Sequence, residues 1–147
     1  MKNILLLIFV AFNCSISLGQ NDSREKVKAF KIAHLTEQLN LSSTEAQKFW
    51  PIYNDHEKIM EQLRRNERAS IKIIRGSNGL NGLSEKKAEE LLNKHLTIGE
   101  KKFQERRNLI QKLKQVLPNR KILILIKAEK DFNKRLLKQL RHRKKAQ

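Results

Sequence analysis

The sequence predicts an all-α fold: a long antiparallel helical hairpin with flanking N- and C-terminal helices. Three observations predict it. Apolar residues recur at steps of three and four along most of the chain, no segment alternates apolar and polar residues at period two, and glycines cluster in one place, GSNGLNGLS from Gly76 to Ser84. At 147 residues and 39% hydrophobic content the chain has room for one domain with a core of its own. Only 5% of residues are aromatic, so aliphatic side chains must supply most of that core.

The first twenty residues, MKNILLLIFVAFNCSISLGQ, combine a basic start at Lys2, an apolar run from Ile4 to Phe12, and small residues at Ser17 and Gly19. This is the pattern of a secretory signal peptide. The run is shorter than the roughly 20 residues a membrane-spanning helix needs. Cleavage near Gly19/Gln20 is expected, giving a soluble exported protein with residues 20–140 as a single helical domain. A lipoprotein anchor at Cys14 is the competing reading, but Asn13 is a poor residue to precede it. Cleavage after Gly19 would remove the only cysteine, and with it any disulfide or thiolate chemistry.

Helices follow at about 22–39, 43–75, 85–116 and 119–140, with a basic tail over 141–147. Asp22 or Ser23 is placed to cap the first, whose apolar positions are Val27, Phe30, Ile32, Leu35 and Leu39. The second opens with LSSTE, where Ser42 and Glu45 have the spacing of a capping box. The return helix carries Leu91, Leu92, Ile98, Phe103, Leu109 and Leu113 as its apolar rhythm. Pro118 suits the start of the last helix, and the run ILILI from Ile122 belongs to that helix because its flanks keep helical spacing. RHRKKAQ is expected to be a frayed tail.

Pro51, inside the second helix, projects at 100° per residue to the side opposite the apolar stripe. A proline there does least damage, and it is expected to bend the helix rather than split it. Trp50 falls on the flank of the stripe, as do Arg64, Arg68, Lys72 and Arg75. Guanidinium and ammonium groups beside an indole suit an acidic or partly unfolded polypeptide. These five residues are therefore the candidate client-binding set, set against the plainer reading that Trp50 packs in the core and the cations are solvated.

Lys and Arg number 32 against 15 Asp and Glu, a formal charge of +17. Such an excess points to nucleic acid, anionic lipid or acidic protein. Export argues against DNA or RNA. No phosphate loop, carboxylate pair or nucleophile motif is present, so no enzymatic activity and no cofactor are expected. The four histidines give no metal site: in a hairpin turning near Asn78 to Asn81, His56 faces the region of Phe103 and His95 that of Leu63. They then stand about two turns, or about 10 Å, apart.

The signal peptide and three further segments together resemble a known group: QLNLSSTEAQKFWPIYNDHEKIMEQLRR, the glycine-rich turn, and LPNRKILILIKAEKDFNKRLLKQLRHR. They are similar to the Spy/CpxP family of exported helical stress proteins, in particular the Bacteroidetes-type sensors of extracytoplasmic-function sigma factors. The family's Leu-Thr-x-x-Gln signature is matched by Leu41, Ser42 and Glu45, with Ser for Thr and Glu for Gln. At the second copy, Leu117, Pro118 and Lys121 keep only the leucine. The resemblance implies a curved, cradle-like homodimer that acts in the periplasm as an ATP-independent chaperone or stress sensor. Its partners would be unfolded or acidic proteins and a membrane-bound regulator of a sigma factor. Metal sensing and peripheral binding to anionic lipid or lipopolysaccharide are the alternatives.

Overall fold

A computed structural model describes the backbone of residues 18–145 and the side chains of residues 25–139, 141 and 142. The leader's charged start, its apolar run and Cys14 lie outside the described residues. Among the described residues four α-helices follow in order: α1 (Leu18–Leu39), α2 (Ser43–Gly76), α3 (Glu85–Leu113) and α4 (Asn119–Lys145). A single 3-10 turn, Leu80–Gly82, lies between α2 and α3, and no strand occurs among the described residues. The fold is all-α.

Local chemistry sets most of the boundaries. Ser42 Oγ accepts the Glu45 N–H at 3.2 Å, and the Glu45 carboxylate accepts the Ser42 N–H at 2.7 Å, so both halves of the capping box form at the start of α2. Pro51 is exposed, and α2 runs through it without interruption, so the proline does not split the helix. The turn after Gly76 places Asn78 and Gly79 at positive φ. At Gly82 a Cβ would lie 1.6 Å from the Ser77 carbonyl oxygen, so only glycine fits that close approach.

Three boundaries differ from the sequence expectation. α1 begins at Leu18, which puts Asp22 and Ser23 inside the helix and not at its cap. No proline stands between Leu18 and Asp22, and a helix already formed downstream extends at one hydrogen bond per residue. α3 ends at Leu113 and not near Val116, because the chain tightens into turns with Val116 and Leu117 N–H both bonded to the Leu113 carbonyl. Leu117 precedes Pro118, which disfavours helical geometry there. α4 continues through Arg141 to Lys145, where the sequence suggests a frayed tail. Arg and Lys are good helix formers, and cations are favourable at a helix C-terminus.

The described residues form two compact units, residues 41–123 and residues 18–40 with 124–145. In the first, α2 and α3 pack as an antiparallel hairpin, burying Phe49, Tyr53, His56 and Leu63 of α2 with Leu91, Ile98, Leu109 and Leu113 of α3. Leu117 and Ile122 are buried there too, and Lys121 Nζ reaches the Glu45 carboxylate at 2.7 Å. In the second unit Leu35, Leu39, Leu125 and Ala128 are buried. His34 joins its helices, donating from Nε2 to the Ala128 carbonyl at 3.1 Å and lying 5.9 Å from the Phe132 ring.

Candidate interaction surfaces

The arginine flank of α2 is built around one carboxylate. Glu61 Oε2 accepts from Arg64 Nε at 3.2 Å, while Oε1 accepts from Arg65 Nε at 3.2 Å and Arg68 Nη2 at 2.8 Å. All three arginines lie three, four and seven residues beyond Glu61, one and two turns along the same helix. Burial alone would raise the Glu61 pKa, but the three guanidiniums outweigh it and hold the carboxyl below its usual value. Arg64 also approaches Glu57, at 3.7 Å. Arg64 and Arg68 are thus brought together, but as partners of an internal anion.

Trp50 does not join them. Fourteen residues separate it from Arg64, about 21 Å along a helix. The indole is half-buried and packs edge-on against Phe49 at 4.9 Å and Tyr53 at 6.0 Å, in an aromatic cluster whose other rings are buried. Lys72 and Arg75 are exposed nearer the turn. The five predicted residues share a helix flank without converging on one site.

Residues assigned to the core by their spacing form a different surface. Leu92 and Phe103 of α3 are 59% and 66% exposed, and Leu96 is 56% exposed. At 100° per residue, Leu92, Leu96, Gly99 and Phe103 fall within a sector of about 60°, roughly one residue's rotation from the buried seam. Gly99 sits within the stripe with nothing within 4 Å of where a Cβ would be. Arg107 lies over the Phe103 ring at 5.9 Å. The stripe is hidden in the sequence because spacing groups Leu92 and Phe103 with the buried seam and leaves Leu96 and Gly99 out; the adjacent leucines Leu91 and Leu92 are the sign that α3 has two apolar faces. On α1, Phe30 and Ile32 are likewise exposed and not part of a core.

Next to this stripe, at the hairpin turn, a 370 Å³ cleft is walled by Ile71, Ile74, Leu80, Leu83 and Leu91, with Glu67 and His95 among its few polar residues. Glu67 is held below the ordinary carboxylate range, first by its 2.7 Å hydrogen bond from Lys102. Deeper in the hairpin His56 Nδ1 lies 3.1 Å from Glu105 Oε1, so His56 meets α3 two residues from Phe103. Among the described residues no group of three or more His, Cys, Asp and Glu is close enough to hold a metal ion. None of the described helices is long and apolar enough to cross a membrane.

No protein-family model, curated protein or solved structure matches the chain.

Proposed function

We propose that the protein is an exported, non-enzymatic helical binding protein that captures unfolded polypeptide reversibly, without a nucleotide, on the open face of its hairpin. The observation that carries this reading is the solvent-exposed stripe Leu92–Leu96–Gly99–Phe103, next to the aliphatic cleft at the turn. Contiguous exposed apolar surface marks interaction sites. The surplus of Lys and Arg over Asp and Glu favours acidic clients. The resemblance of the signal-like leader, the Ser42 and Glu45 motif and the C-terminal segment to the Spy/CpxP group supports the same role, with the periplasm as its place of action. Lys72 and Arg75 provide the outlying positive charge in this reading, and Arg64 and Arg68 contribute only what Glu61 leaves uncompensated.

The test is suppression of aggregation of a chemically denatured client by the chain from Gln20 onward, without ATP. Leu96→Glu/Phe103→Glu should lose most of the protection while keeping parental helicity. Arg64→Glu/Arg68→Glu should lose less. Full protection by the first variant would sink the assignment of the stripe. Absence of protection by the folded parent would favour a dedicated regulator that recognises one partner, such as the sigma-factor sensors the sequence resembles. If the first variant instead turns a dimer into a monomer in sedimentation velocity, the stripe is where two copies meet.

A further inference from the structure

We infer that α4 carries a second, separate interaction surface: the cation row Lys127, Lys130, Lys134, Lys138 and Arg141, which docks the protein on an anionic phospholipid bilayer. These residues recur at steps of three and four, and at 100° per residue they fall within a sector of about 80°, one cation per turn over about 21 Å. All five are exposed. The opposite side of the helix is the one closed within its own unit, where Ala128 accepts the His34 hydrogen bond and Phe132 meets the His34 ring. The row therefore points outward.

Its charge is far less compensated than that of the arginine flank on α2. From residue 124 to residue 147 there are nine Lys and Arg, against Glu129 and Asp131 alone. Glu129 is buried, and Asp131 takes one member of the row, Lys127 Nζ, at 2.9 Å. That contact holds the Asp131 carboxyl below its ordinary range. Among the described residues no ion pair engages Lys130, Lys134, Lys138 or Arg141. On α2, by contrast, Glu61 sits among three arginines.

Three features favour a bilayer over other polyanions. Four of the five cations are lysines, whose compact charges on flexible aliphatic stems suit a diffuse field of headgroups, whereas bidentate phosphate recognition uses arginine. No aromatic or amide side chain interrupts the row, as stacking on bases or reading of base edges would require. The same unit exposes Leu137 (56%) and Phe30 (68%), apolar side chains that a headgroup layer can accept. The attraction of such a row falls off within a Debye length of the surface, so it is strongly salt-dependent.

The experiment is co-sedimentation of the chain from Gln20 onward with vesicles of phosphatidylcholine alone or with 30% phosphatidylglycerol, at low and high sodium chloride. Helicity of each variant is checked by circular dichroism. The expected result is binding to the anionic vesicles only, lost at high salt. Lys130→Glu/Lys134→Glu/Lys138→Glu should weaken that binding by at least about a hundredfold, given that each cation near the surface strengthens it about fivefold and that each glutamate is in addition repelled. The charge-matched control Lys58→Glu/Lys86→Glu/Lys101→Glu, on exposed lysines of the hairpin, should bind within a few-fold of the parent. Equal loss in both triple variants would overturn the proposal, because net charge and not the α4 row would then govern binding. Equal binding to both vesicle types would also overturn it. So would displacement from anionic vesicles by a short single-stranded oligonucleotide far below the lipid concentration, which would make nucleic acid the better ligand.

Discussion

α3 carries two apolar seams one residue apart, and only one of them is closed. Leu91, Ile98, Leu109 and Leu113 are buried against the hairpin partner, whereas Leu92, Leu96 and Phe103 stand in solvent about a quarter-turn away. The same helix, with the same residue types, thus has a seam that holds the fold and a seam available to something else. Hydrophobic content alone does not separate them. What separates them is whether α2 offers a facing side chain, and that is a property of the hairpin.

This contrast is broken or sharpened by substitution along the two seams. Leu109→Ala removes a side chain that is 3% exposed and should cost about 2–5 kcal/mol in urea unfolding. Phe103→Ala, though it deletes a larger group, should cost no more than about 0.5 kcal/mol, since little of the ring is taken out of water on folding. Equal costs would show that the open seam is covered in solution. Between these extremes, Ser42→Ala should lose about 1 kcal/mol by leaving the first turn of α2 without its cap.

Glycine substitutions distinguish the two sides of the hairpin by sign. Gly99→Ala faces open space within a regular helix and should stabilise by up to about 1 kcal/mol. Gly82→Ala would drive its Cβ into the Ser77 carbonyl and should lower the melting temperature. A stabilised Gly99→Ala that no longer protects clients would locate the notch as part of the binding face.

The smallest effect is that of pH. Glu61 and Glu67 are both held below their ordinary carboxylate values in the fold, so the unfolded chain binds protons first as the solution is acidified. Their contribution is fully present above about pH 5 and is lost as pH falls through the depressed folded values. Both side chains are partly exposed, which screens the effect. Glu61→Gln should flatten the fall in melting temperature between neutral and acidic pH, a shift read by thermal unfolding at several pH values.

Much of the architecture was legible from local chemistry. The capping box at Ser42 and Glu45, the glycine-rich turn and the helical period each act over a few residues, so a single sequence carries them whole. The meeting of His56 with the neighbourhood of Phe103 also follows from the turn position and the rise per residue. The ends of α1, α3 and α4 were less legible, since propagation and fraying depend on small differences spread over several residues. The candidate surface was legible only in part. Spacing put Arg64 and Arg68 on one flank, but Glu61, inside that flank, takes their charge. Spacing likewise could not tell Leu91 from Leu92, because that distinction belongs to the packed pair of helices.

Glu45 belongs to two timescales at once. Its contact with Ser42 spans three residues and can form with the first turn of α2, while its contact with Lys121 closes a loop of 76 residues. The first is among the earliest events open to the chain and the second is deferred until the hairpin has met the start of α4, since long loops close at an entropic cost that local turns avoid. Glu45→Gln keeps a side chain that can still accept the Ser42 N–H but weakens the attraction to Lys121, so it should speed unfolding while leaving refolding nearly unchanged. The strength of that one carboxylate is therefore also a clock on how long the hairpin stays shut.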